Sequence, residues 1–272
     1  MNKMHKINID GQTVEVEPHR QSSTEKTILE VAKSAGIYIP TLCYHPALEP
    51  YGACRLCLVE ITKPEWKEWS KLVVSCAYHV ENNLIVKTSS EKVIKARKFI
   101  LELLLARVPE SDVIQKLANQ YGITKTRFSS SLNPEPPTLN CILCGLCVRV
   151  CDEIIGENAI CFAYRGANRE VMAPFNKPSE VCLTCGACAF VCPMGAIKIE
   201  DIVDIRKISI SKTEASLVRC KNCGVTFTAL PVSEKVKKKF QTLQELLELC
   251  QKCRRKKTIE KLSYGPMAIR NI

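Results

Sequence analysis

One spacing constrains this chain more than any other. Cys-x2-Cys-x2-Cys-x3-Cys occurs twice, as Cys141, Cys144, Cys147, Cys151 and again as Cys182, Cys185, Cys188, Cys192. Three thiolates on a tight arc can grip three corners of a cubic [4Fe-4S] cluster, while the cysteine three residues further on points away and ligates the other cube. The spacing therefore predicts one cluster on Cys141, Cys144, Cys147 and Cys192, and a second on Cys151, Cys182, Cys185 and Cys188. Taken singly, each arc could be a zinc knuckle; two complete arcs with matched spacing favour clusters. Pro193 follows the last cysteine as the bacterial pattern expects, whereas Asp152 stands where the first repeat would have its proline. Gly145 and Gly186 sit inside the arcs, where a missing Cβ lets the backbone approach a sulfide face at positive φ.

The other cysteines also fall into fours. Cys43, ten residues, Cys54, two residues, Cys57 and eighteen residues to Cys76 give a long arm, a tight pair and a remote cysteine, the layout of a [2Fe-2S] site. Cys220, Cys223, Cys250 and Cys253 form two Cys-x2-Cys pairs 26 residues apart, a closed all-cysteine set suited to structural Zn2+; rubredoxin-type iron or another cluster uses the same ligands. Cys161, the seventeenth cysteine, is expected to be a buried apolar thiol. His45 and His79 lie near the first set, which is complete without them, so both are expected in loop or core roles.

Thiol counting also changes the charge. Each four-thiolate site carries a net of about −2, so four sites reduce the formal +11 to about +3. The basic balance then says little about nucleic acid, and Lys235, Lys237, Lys238, Lys239 and Arg254-Arg255-Lys256-Lys257 lack interleaved aromatics. A solvated face or a dock for an acidic partner is expected there. No apolar run approaches a membrane span and no signal peptide opens the chain, so a cytoplasmic protein is expected.

Read in order, residues 5–16 alternate about Asp10-Gly11 as a hairpin, and 27–35 form a helix stopped by Gly36. A helix is expected over 91–108, capped by Ser90, with Val93, Ile94, Ala96, Phe99, Ile100, Leu103 and Leu104 as its apolar stripe. Another starts at Ser111 and stops at Gly122. Residues 129–138 have the composition of a linker, 158–166 read as a strand with a glycine turn, and 196–200 alternate as a strand. A helix near 243–249 should pack with Phe227 behind the last metal. The expected organisation is α+β in four parts: 1–88, a [2Fe-2S] domain; 89–138, a helical segment and linker; 139–205, a dicluster domain; 206–272, a zinc-ribbon-like tail.

Cys43-Tyr44-His45-Pro46, Gly52-Ala53-Cys54-Arg55-Leu56-Cys57 and Ser75-Cys76 resemble the N-terminal [2Fe-2S] domain shared by three groups: the diaphorase iron-sulfur subunits of NAD-linked bidirectional hydrogenases, the large iron-sulfur subunit of respiratory complex I, and NAD-linked formate dehydrogenases. The resemblance implies a β-grasp fold for that domain. The segment from Cys141 to Gly166 looks like the same diaphorase subunits and related electron-bifurcating complexes, and the tail resembles the zinc-ribbon tails of some hydrogenase ferredoxin subunits. Such relatives usually carry a further cubane bound by one histidine and three cysteines. Here there is no cysteine between Cys76 and Cys141 and no histidine after His79. Electrons would pass from the [2Fe-2S] site directly to the first cubane, or to a partner, or the domain would move.

No Gly-x-Gly-x-x-Gly or Gly-x4-Gly-Lys-Ser/Thr pattern is present, so no Rossmann or P-loop nucleotide site is expected. No cysteine follows Cys253, so no further cysteine-ligated hydrogenase domain is expected either. The resemblance implies a non-catalytic electron-transfer subunit of an NAD(P)-linked hetero-oligomer, first of all a nickel-iron hydrogenase or bifurcating complex. Its cofactors would be one [2Fe-2S], two [4Fe-4S] and one Zn2+. Its partners would be a flavin/NAD(H) subunit, a hydrogenase or other catalytic subunit, and ferredoxin, with no nucleic acid and no membrane span. The alternatives are a formate dehydrogenase or complex I-like subunit, and a free polyferredoxin.

Overall fold

The computed structural model describes residues 4–16, 26–128, 140–240 and 244–263; the expected linker at 129–138 lies outside them. Asp10 and Gly11, at φ 50° and 91°, make the two-residue turn between β1 (His5–Ile9) and β2 (Gln12–Val16), and Asn8 Oδ1 accepts the Gly11 N–H at 2.9 Å. Helix α1 (Ile28–Ser34) opens with a reciprocal cap: Thr27 Oγ1 accepts from the Glu30 N–H, and Glu30 accepts from the Thr27 N–H. Strands β3 (Leu58–Thr62), β4 (Lys71–Val74) and β5 (Leu84–Lys87) complete a five-stranded sheet in the order β2-β1-β5-β3-β4, with β1 parallel to β5. Alternation along the strands sends Ile7, Ile9, Val59, Ile61, Leu84 and Val86 against Ile28, Leu29 and Val31 of α1. Each such side chain contributes roughly 1.5–3 kcal/mol on burial, so this sheet-and-helix unit holds a full core of its own.

Ser90 caps α2 (Glu91–Arg107) and Ser111 caps α3 (Asp112–Gln120). The stripe expected on α2 is rotated: Val93, Arg97, Leu101 and Leu105 are buried, whereas Ile94, Phe99 and Leu103 are exposed. The buried set steps by four, and a charged residue at its second position hid it from an apolarity pattern. Phe99 is covered on one side by the edge of Phe128 and by Arg127. The inner faces of α2 and α3 share one core with Cys43, Leu48, Cys54 and Leu56 on one side and Ile142, Cys144, Leu146 and Met194 on the other. The helices thus join the first sheet to the two cysteine arcs.

Each arc ends in one helical turn, α4 (Leu146–Arg149) and α5 (Ala187–Phe190). Between them β6 (Cys161–Ala163) and β7 (Glu170–Met172) pair as a short hairpin. The strand expected at 196–200 forms later, as β8 (Ile199–Ile202), paired with β9 (Ile205–Ile208) about a tight turn where Val203 takes φ 56°. Turn geometry sets this register. The sheet continues through β10 (Thr213–Arg219) to β11 (Thr226–Ala229), in the order β11-β10-β9-β8. It therefore runs across the expected boundary at 205/206. Helices α6 (Leu230–Lys239), α7 (Gln244–Leu247) and α8 (Gln251–Ser263) follow; α6 and α8 go beyond what the sequence pattern predicts. Among the described residues, no helix is long and apolar enough to cross a membrane.

Candidate metal centres

The first four cysteines meet where two cores adjoin: Cys57 and Cys76 belong to that of the sheet and α1, Cys43 and Cys54 to the one shared with α2 and α3. Cys43, Cys54, Cys57 and Cys76 are each at most 4% exposed. The Leu42 N–H donates to Cys54 Sγ at 3.5 Å and the Cys54 N–H to Cys43 Sγ at 3.4 Å, so main-chain donors already face sulfur. Cys43 neighbours Cys54 and Cys76, and Cys76 neighbours Cys57. Thiol hydrogen bonds from Cys54 and Cys76 pull Cys43 down to about 2, and Cys76 draws Cys57 down to about 7. Cys54 and Cys76 move up in exchange, Cys54 through its bond to Cys43 and then burial, Cys76 through its bonds to Cys43 and Cys57 and then burial. A metal bound here must displace the protons the thiols retain. His45 Nδ1 accepts from the Ala47 N–H at 3.2 Å, and His79 makes a β-bridge with Thr27; each has a role in the local backbone.

The two arcs are near copies. In both, the residue just before the second cysteine and the glycine just after it are left-handed: Leu143 and Thr184 at φ 55° and 49°, Gly145 and Gly186 at 77° and 81°. Such consecutive turns aim main-chain N–H groups inward, an anion-accepting arrangement. Leu143 N–H donates to Cys141 Sγ at 3.4 Å, Ala159 N–H to Cys151 Sγ at 3.3 Å and Ala196 N–H to Cys192 Sγ at 3.4 Å. The close neighbours of the glycines are side chains: a Cβ on Gly186 would lie 2.8 Å from Ile199 Cδ1, and one on Gly145 would lie 3.2 Å from the Tyr51 ring. The left-handed Leu143 and Thr184 carry no signal in the sequence, since neither residue type favours that region.

Cys141, Cys144, Cys147 and Cys192 line one cavity, with Val171 and Ile197 beside them. Cys151, Cys182, Cys185 and Cys188 line a second, with Ile155 and Ile208. Each cavity thus takes three cysteines from one repeat and one from the other. Burial pushes Cys144 and Cys188 up to about 12, and raises Cys141, Cys147 and Cys151 as well. Cys144 also feels Cys192, Cys141 and, from the first set, Cys43. Four thiols crowded around apolar space are poor company for one another unless an added cation holds them as thiolates. The Thr184 hydroxyl, next in sequence to Cys185, is fully buried and has no partner among the described residues, but Thr184 does not line the second cavity. The two four-cysteine donor sets around apolar cavities fit iron-sulfur clusters.

The last set is tighter. All four ligand atoms of Cys220, Cys223, Cys250 and Cys253 lie within 4.8 Å of one another. Cys223 Sγ and Cys250 Sγ are 3.7 Å apart, close to the edge of about 3.8 Å that a metal-sulfur bond of about 2.3 Å gives a tetrahedron. One ion fits; a cube does not. Cys220 and Cys223 flank the turn after β10, and the second pair opens α8, so this pair sits on a helix rather than a hairpin. The Cys250 N–H, at 3.2 Å, brings Cys220 down to about 6. Phe227 and Leu249 pack against the set.

Cys161 lies outside all four sets and is half-buried in β6, opposite Met172, rather than fully buried as expected. The basic tail residues are partly committed within the chain. Lys235 donates to the Ile155 carbonyl at 2.8 Å and pairs with Glu157; Lys237 and Lys257 pair with Glu248 and Glu245.

Residues 2–91 match the model of a 2Fe-2S iron-sulfur cluster binding domain, and residues 140–196 that of a 4Fe-4S dicluster domain. The chain is 32% identical over 215 residues to a subunit of the NADH-quinone oxidoreductase of Rhizobium meliloti (strain 1021), covering 71% of this chain and 24% of that protein. It is 33% identical over 223 residues to the NADP-reducing hydrogenase subunit HndD of Solidesulfovibrio fructosivorans, covering 70% and 35%. Among solved structures, an NAD+-reducing [NiFe]-hydrogenase in the H2-reduced state matches with a TM-score of 0.52 and 29% identity, over 62% of this chain and 74% of that one. The alignments span between a quarter and about a third of the length of these curated relatives. The chain contains a 2Fe-2S iron-sulfur cluster binding domain and a 4Fe-4S dicluster domain, and across them it is similar to subunits of NADP-reducing hydrogenase and NADH-quinone oxidoreductase.

Proposed function

We propose that this chain is a cytoplasmic electron-transfer subunit of a multi-subunit NAD(P)-linked oxidoreductase, of the nickel-iron hydrogenase or electron-bifurcating kind. Cys43, Cys54, Cys57 and Cys76 would hold one [2Fe-2S] cluster. Cys141, Cys144, Cys147 and Cys192 would hold one [4Fe-4S] cluster, and Cys151, Cys182, Cys185 and Cys188 a second. Cys220, Cys223, Cys250 and Cys253 would hold Zn2+ in a zinc-ribbon-like tail. The carrying observation is the pair of cavities, each lined by four cysteines drawn three and one from the two repeats. The clusters supply one-electron chemistry; the chain fixes their thiolates, points main-chain N–H groups at sulfur and excludes water. The order of strands in the first sheet supports the β-grasp reading of that domain.

The core shared by Cys43, Cys54 and Cys144 supports a direct step from the first centre to the first cubane. Electrons would arrive from a flavin subunit that binds NAD(H) and leave toward a hydrogenase or other catalytic subunit, with ferredoxin as a further partner. The match to a quinone-oxidoreductase subunit supports a complex I-like assembly as the second reading. Anaerobic purification from native cells tests both. The expected result is about ten irons and one zinc per chain, with a flavoprotein and hydrogenase subunits co-eluting. A stable iron-free monomer would sink the proposal, and co-elution with quinone-oxidoreductase subunits would select the second reading.

A further inference from the structure

Helix α2 turns two arginines into the protein, and among the described residues no carboxylate meets them. Arg97 is 4% exposed. Its Nη2 donates at 2.6 Å to the carbonyl of Leu58, the residue after Cys57, and its Nη1 at 3.2 Å to the Tyr121 hydroxyl; its Nε has no partner. Ten residues further on, the half-buried Arg107 donates from Nε to the carbonyl of Cys141 itself at 2.9 Å, and from Nη2 to that of Arg169 at 3.3 Å.

A buried cation without a counter-ion is costly, by several kcal/mol in real proteins. Lysine can escape by shedding its proton; arginine cannot. The balancing charge must come from something else nearby: Arg97 is bonded to the residue that follows Cys57, and Arg107 to Cys141 itself. Ionised and loaded with oxidised iron and sulfide, each cysteine set carries a net charge of about −2, and about −3 once reduced.

We infer that Arg97 and Arg107 are the fixed counter-charges of the first and second cysteine sets, and that each raises the reduction potential of the centre beside it. One electron added to a centre adds one negative charge, and a fixed cation close by stabilises the reduced form more than the oxidised form. The hydrogen bonds to Leu58 and Cys141 hold the two cations in place. This inference rests on the iron-sulfur reading of the two sets.

The test is an EPR-monitored redox titration of the full chain, reconstituted anaerobically and reduced with dithionite. Arg97→Gln should keep two irons at the first set while the ratio of reduced to oxidised [2Fe-2S] at a given potential falls about tenfold, or 59 mV for a one-electron couple. Arg97→Lys, titrated at a pH low enough to keep the lysine protonated beside the anionic centre, should move that ratio less than threefold. Arg107→Gln should lower the ratio for the first cubane and leave the [2Fe-2S] ratio alone. Should Arg97→Gln fail to load iron, Tyr121→Glu places a carboxylate against the intact guanidinium and should produce the same fall. Wild-type potential in the uncharged variants, or an equal fall in Arg97→Lys and Arg97→Gln, overturns the inference while the iron-sulfur reading stands. A wild-type chain that binds no iron overturns both.

Discussion

The N-terminal lobe and the C-terminal tail both present four cysteines, yet they are held in opposite ways. In the lobe, a five-stranded sheet and α1 enclose a core of fully buried aliphatic side chains, and two of the four cysteines sit at its edge. In the tail, the buried cluster consists of Cys220, Leu249 and Cys250, with Phe227 and Cys253 against it. One region has a core that positions ligands; in the other the ligands are the core. Below a certain apolar content, a small unit needs a metal or disulfide to stay folded. The tail falls on that side of the line and the lobe does not.

The largest expected effect follows directly. If the tail set holds zinc as proposed, stripping it with a chelator, or Cys220→Ser, should abolish protection of α7 and α8 amides in hydrogen exchange, since a structural zinc supplies on the order of 10 kcal/mol of folding free energy. The β1–β5 amides should keep theirs. A tail that stays protected without metal would erase the contrast.

A smaller effect probes the dicluster lobe between the two extremes. Gly186→Ala combines a left-handed φ of 81° with a Cβ 2.8 Å from Ile199 Cδ1. It should cost about 1–3 kcal/mol, read as a shift of the urea midpoint, and should weaken iron retention at the second cubane before the first. Equal iron loss at all sites would show that the arcs lack separate stability.

The smallest concerns the lobe alone. Glu60 is brought from 4.5 to about 2 by the Ser70 hydroxyl, which donates at 2.5 Å, and further by Ser90 and Lys92. Because the folded pKa lies below the unfolded one, its contribution is complete above about pH 4.5 and disappears as pH falls toward 2. Glu60→Gln should therefore cost about 1–2 kcal/mol near neutral pH and nothing near pH 2, where wild type and variant converge. Parallel stability curves across that range would remove Glu60 from the account.

Cysteine spacing made all four sets legible, because ligand geometry restricts how many residues separate two sulfurs on one metal. Caps were legible too: Thr27, Ser90 and Ser111 each stand where a hydroxyl can accept an orphan N–H. What failed to show depended on partners distant in sequence. Arg97 reads as a surface residue until the Leu58 carbonyl, 39 positions away, is brought to it. Strand β8 began later than its alternation suggested because the Val203-Asp204 turn, with neither glycine nor asparagine to announce it, fixed the pairing of Ile202 with Ile205. Fully buried Thr184, left-handed without a glycine, was likewise invisible until the backbone was traced.

Strand β8 ends its sheet, and all four of its residues, Ile199 and Ile202 among them, are exposed. An uncovered edge with aliphatic side chains is a template for pairing with any other extended chain. For anyone producing this chain alone, that means self-association and inclusion bodies are the default outcome, and a charge or proline placed on that edge is the remedy.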